Sequence, residues 1–158
     1  MRTITQQMIR DLIEQAEQSE RKRTIYRLHE HEEPVQRMVN ALVPGTYITP
    51  HKHENPDKVE LMSILAGRVA LIQFTDAGDV DEIHIIGDHE DKKIVDIPPR
   101  TYHNMVALSP CAVLEIIQGP YDAATHKQFA PFAPQEGEDG TAAYLANLEA
   151  LIAQADSR

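Results

Sequence analysis

Residues 45–67 read GTYITPHKHENPDKVELMSILAG. Glycines close both ends, His51 and His53 stand two apart, and Glu60 opens an apolar run. On an extended strand, side chains at i and i+2 share a face. The two imidazoles therefore sit side by side. The polar loop ENPDKV then returns the chain, so that a hairpin sets the Glu60 carboxylate opposite the pair. Neutral imidazole is a common metal ligand, and with a carboxylate it makes a donor set for one cation. His103, after the proline-rich turn IPPRTY, is the fourth candidate, because closure of a barrel pairs strands that are remote in sequence.

Outward from this stretch, the punctuation is that of an all-β chain. Short apolar runs (VQRMVNALV, KVELMSILA, RVALIQF, EIHIIG, IVDI, TYHNMVAL, CAVLEIIQ) alternate with turn residues, the pattern of a sandwich or barrel. Helical spacing appears only at the ends. Ile4, Met8, Ile9, Leu12, Ile13 and Ala16 mark one face near the N-terminus, and Leu145, Leu148, Leu151 and Ile152 another near the C-terminus. Thr141 or Asp139 is placed to cap the second helix. The expected organisation is an N-terminal helix over 1–20, a β-barrel over 21–120, and over 121–158 a Pro/Gly-rich segment and C-terminal helix packed on the barrel, with Phe129 and Phe132 as anchors.

The chain has 158 residues and a formal charge of −10. That balance argues against nucleic acid or an anionic membrane surface as partner. The single cysteine, Cys111, excludes an internal disulfide and reads as core packing. There is no signal-peptide pattern and no run near the roughly 20 apolar residues of a membrane span, so a cytoplasmic location is expected.

The motifs resemble those of the cupin family. Gly45, His51, His53, Glu60 and Gly67 fit its first motif, with six residues between His53 and Glu60. PPRTYH at 98–103 resembles its second, with Arg100 in place of a glycine. The stretches PVQRMVNALVPGTYITPHKH, VDIPPRTYHNMVAL, GPYD and QFAPFAPQEG together resemble the WbuC-type cupin metalloproteins. The resemblance implies a mainly β fold, a single cupin (RmlC-like) antiparallel β-barrel or jelly roll with flanking N- and C-terminal helices. It implies one divalent transition metal ion (Fe, Mn, Ni, Co or Zn) on His51, His53, Glu60 and His103, and a place in surface-polysaccharide synthesis. It leaves the reaction open.

Further candidates follow from position. Tyr47 shares the parity of His51 and is expected to face the pocket, as are Thr49, Met62 and Ile64. His29 is a candidate for proton transfer, through a position recurrent in the resemblance, and Glu115, a carboxylate inside CAVLEIIQ, is another. Arg37 and Arg100 are candidate clamps for a phosphate or carboxylate. Arg37 and Asn40 have opposite parity, so at most one points inward. Tyr102 is read as packing, and His84, His89 and His126 have no claim. The functional expectation is a metal-dependent isomerase or epimerase acting on a small polar ligand such as a phosphorylated or nucleotide-linked sugar. A non-haem oxygenase and a non-catalytic metal- and sugar-binding protein are the alternatives, with a metal-free epimerase as a further option. A homodimer is expected.

Overall fold

The computed structural model describes residues 1–157. Helix α1 (Gln6–Gln18) begins at Thr5, whose hydroxyl accepts the Met8 N–H. Ten strands follow: β1 (Arg23–Arg27), β2 (Val35–Leu42), β3 (His51–Lys52), β4 (Glu60–Ala66), β5 (Arg68–Phe74), β6 (Val80–Gly87), β7 (Ile94–Ile97), β8 (Tyr102–Ala107), β9 (Cys111–Gln118) and β10 (Gln128–Phe129). Helix α2 (Thr141–Asp156) ends the fold. The strands form two five-stranded antiparallel sheets, ordered β1-β2-β9-β4-β7 and β10-β3-β8-β5-β6.

Apolar runs with no polar alternation mark strands buried on both faces, and β5 shows why. Val69 and Leu71 point between the sheets, into a core with Leu42, Met62, Ile86, Met105 and Val113. Ala70, Ile72 and Phe74 point the other way, under Leu145, Leu148 and Ile152 of α2. Helix α1 covers the outer face of the other sheet, where Ile9, Leu12 and Ala16 meet Val39, Ala41 and Ala112. Cys111 is fully buried in the central core. Among the described residues no helix is long and apolar enough to cross a membrane.

Three local expectations are corrected. α2 is capped by Gly140 at φ +92° with no side-chain bond, because the chain enters the helix through a left-handed residue. Leu151 is exposed, since it lies about a third of a turn from the Leu145–Leu148–Ile152 face. Phe132 does anchor the C-terminal segment, packing on Phe74 and Tyr102, but Phe129 stays half-exposed beside His51.

Candidate metal centre

Strand pairing brings the four sequence candidates together. His51 on β3 is the register partner of His103 on β8. Glu60 opens β4 in the facing sheet, between Ile97 and Ile117 of its neighbours. The ring nitrogens of His51, His53 and His103 lie within 4.8 Å of one another. Glu60 Oε2 stands 2.9 Å from His53 Nε2 and 3.0 Å from His103 Nε2. All four side chains are at least nine-tenths buried.

The outer hydrogen bonds fix the inner chemistry. His51 Nδ1 is 3.0 Å from the Thr49 carbonyl, His53 Nδ1 2.5 Å from that of His126, and His103 Nδ1 2.9 Å from that of Thr101. A carbonyl only accepts, so each Nδ1 carries the proton and each neutral ring turns a bare Nε2 inward. Two such lone pairs then confront a carboxylate oxygen, an arrangement of acceptors that calls for a cation. His103 Nε2 is buried with no hydrogen-bond partner among the described residues. Donor atoms about 3 Å apart suit ligands about 2.0–2.2 Å from one shared ion. The residues thus fit a metal. Burial pushes Glu60 upward, yet the neighbouring His103 and His53 outweigh burial and hold the carboxyl well below its ordinary range. Burial, then the charge of Lys127, keeps His51 far below the ordinary imidazole value.

The centre opens into a cavity of about 300 Å³ between the sheets. Glu115 lines it from β9 and accepts a 2.7 Å bond from Asn40 Nδ2. Burial, reinforced by the charge of Glu60, raises its carboxyl to about 8. His29 also lines the cavity. Its Nδ1 lies 2.8 Å from the Arg37 N–H nitrogen and 2.7 Å from the Arg37 carbonyl oxygen.

Five residues expected at the site lie elsewhere: Tyr47, Thr49, Ile64, Arg37 and Arg100. Residues between Val43 and Pro50 make no ladder, so alternation does not carry through Pro50 to Tyr47. Its ring packs in the α2 core and its hydroxyl donates to the Pro134 carbonyl. Thr49 is likewise turned away and accepts the Glu136 N–H. Met62 lines the cavity, whereas Ile64 packs in the core beyond it. On β2 it is Asn40 that points inward, and Arg37 pairs with Glu33 outside the cavity. Arg100, at φ +63°, is exposed and bonded to Asp57 at 2.9 Å. The structure adds groups that the sequence reading passed over. His126 lines the cavity with its ring centroid 5.1 Å from that of His53, and burial lowers its imidazole to about 3. Arg21, Arg23 and Arg27 from β1 and its approach, and Lys127, form a cationic rim.

Solved structures share this architecture. A recombinant oxalate oxidase in complex with glycolate gives a TM-score of 0.54 at 14% identity, over 72% of this chain and 57% of that one. CapF with the inhibitor 3-isopropenyl-tropolone gives 0.51 at 25% identity, over 66% of this chain and 31% of that one. KdgF from Halomonas sp. gives 0.50 at 17% identity, over 65% and 82%. The chain spans 24% of the length of a Bacillus subtilis oxalate decarboxylase variant. The fold is that of the cupins, and the His51, His53 and His103 cluster could hold a metal ion. Residues 4–86 match the family described as "Domain of unknown function (DUF6016)", and the chain belongs to that family. No curated protein matches the sequence.

Proposed function

We propose that the chain is a mononuclear cupin metalloprotein of WbuC type. In this reading it carries out isomerase- or epimerase-like proton transfer on a small anionic ligand, a sugar phosphate or nucleotide-linked sugar of surface-polysaccharide synthesis. One observation carries the reading: three bare imidazole nitrogens and a carboxylate converge at the floor of an open cavity. His51, His53, His103 and Glu60 would hold one divalent ion of Fe, Mn, Ni, Co or Zn. When bound, such an ion polarises a carbonyl or hydroxyl oxygen as a Lewis acid.

The remaining work falls to the chain. Glu115 faces the same cavity, oriented by Asn40, and is placed to hold or deliver a proton. His29 lines the same cavity and presents its imidazole to a ligand oxygen. Met38, Met62 and Met105 line the inner walls and keep water sparse around that exchange. The likeness to CapF supports a ligand with adjacent oxygens, since a tropolone presents two. A cytoplasmic homodimer without nucleic-acid or membrane partners completes the reading, and the exposed Tyr26 on the edge strand β1 supports contact with a second copy.

The test is solvent-deuterium incorporation into sugar phosphates by the metal-loaded chain. Incorporation that disappears in Glu115→Gln, with metal content unchanged, is the expected result. The same apolar walls favour one second reading, a non-haem oxygenase, whose mark is oxygen consumption without deuterium exchange. A non-catalytic binder would show only a saturable rise in melting temperature.

A further inference from the structure

The cationic rim of the cavity is unexpected in a chain of net charge −10. β1 turns Arg23, Ile25 and Arg27 toward the cavity, Arg21 precedes them, and Lys127 arrives from the segment before β10. Arg21 and Arg23 share one carboxylate, Glu136, at 2.7 and 2.6 Å, and so retain a net positive charge. Arg27 and Lys127 have no acidic partner within ion-pair distance among the described residues. Glu30 and Glu32 share an adjoining depression with Arg27 without pairing to it.

A second, independent observation lies on the same wall. His126 is nine-tenths buried, lines the cavity, and leaves Nδ1 without a partner among the described residues. A buried polar atom without a partner is costly, and a ligand relieves that cost. Ile25, Ile48 and Phe129 present carbon to the same cavity.

We infer that the cavity mouth is a phosphomonoester subsite, in which the Arg27 guanidinium and Lys127 ammonium take phosphoryl oxygens and the His126 imidazole donates a third bond. Oxyanions receive short charge-assisted bonds from such donors. The inference rests on the cavity being a ligand site, as proposed above, but not on the metal.

Titration calorimetry of the full chain with inorganic phosphate tests it, after the metal is stripped by a chelator and at constant ionic strength. Saturable binding is expected, weakened about tenfold or more in the Arg27→Ala/Lys127→Ala double variant. Binding should be unchanged in Arg37→Ala and in Arg100→Ala, which carry the cations outside the cavity. All substituted cations are at least partly exposed, and circular dichroism checks the fold of each variant. Non-saturable binding by the wild-type chain, equal affinity in the double variant, or acetate bound more tightly than phosphate would overturn the subsite. Metal content measured on reloaded samples separates the two proposals: a chain that takes up metal but not phosphate loses this one alone.

Discussion

His53 Nε2 and Glu60 Oε2 face each other at 2.9 Å in a site where each is at least 97% buried, and the tautomer set by the His126 carbonyl leaves no proton between them. A cation resolves that conflict, so metal should act as a folding ligand. A ligand present at about 100 times its dissociation constant adds about 2.7 kcal/mol. For a chain of this size, chelation should therefore lower Tm by about 5–10 °C. Glu60→Gln should remove most of that metal-dependent shift, because an amide oxygen brings no charge to the ion. Scanning calorimetry of both proteins with and without chelator measures it. An equal shift in the variant would show that Glu60 is not a ligand.

Glu136 ties the C-terminal segment to the start of the barrel through Arg21 and Arg23. The two guanidiniums, opposed by partial burial, hold its carboxyl near 2, below its unfolded value of about 4.5. A depressed carboxyl contributes stability above its unfolded value, and that contribution is lost as pH falls from about 4.5 to about 2. Glu136→Gln should thus be less stable at neutral pH by no more than about 1 kcal/mol, since the pair is partly exposed. The gap should close at pH 2. Urea midpoints across that range give the comparison, and a gap that persists in acid would rule out the ion pair as its source.

The two glycines that frame the opening stretch have different roles. Gly67 turns β4 into β5 at φ +78°, and a Cβ there would lie 2.8 Å from Cys111 Cα and collide with the Pro110 carbonyl. Gly45, at φ +89°, has open space around it. Gly67→Ala should cost about 2–4 kcal/mol in urea unfolding. Gly45→Asn should cost less than about 1 kcal/mol, since asparagine tolerates the left-handed region. Equal costs would contradict the packing around Gly67.

Tyr47 belongs to the α2 core, where its hydroxyl donates to Pro134. Tyr47→Phe should lose about 1 kcal/mol and leave metal content and ligand turnover unchanged. A variant that kept its stability but lost turnover would return Tyr47 to the site.

The sequence reading reached the parts of the site that obey strand periodicity. His51, His53 and Glu60 were legible because alternation and hairpin return place side chains by counting, and His103 because barrel closure and its motif position set it beside them. Asn40 and Arg37 on β2 obeyed the same rule, one inward and one outward. The count failed for Tyr47 because the backbone leaves the ladder between Val43 and Pro50. His126 and Lys127 were invisible for a related reason. They sit on an irregular segment whose path is set by tertiary bonds, such as Lys58 Nζ donating to the Pro120 carbonyl and the His126 carbonyl meeting His53, and no periodicity announces those bonds. The β1 arginines drew no claim from the sequence, because nothing local to them places this edge strand beside the cavity. Arg100 drew attention through its motif position, yet its left-handed backbone turns it to Asp57 and solvent.

The metal content of the purified chain, by elemental analysis, addresses the four-residue centre most directly. One divalent transition ion per chain is expected in the wild type, with near-complete loss in His51→Ala and in His103→Ala while circular dichroism shows the β fold intact. A folded wild-type chain that takes up no metal on reconstitution, or histidine variants that retain a full equivalent, would contradict the centre described here.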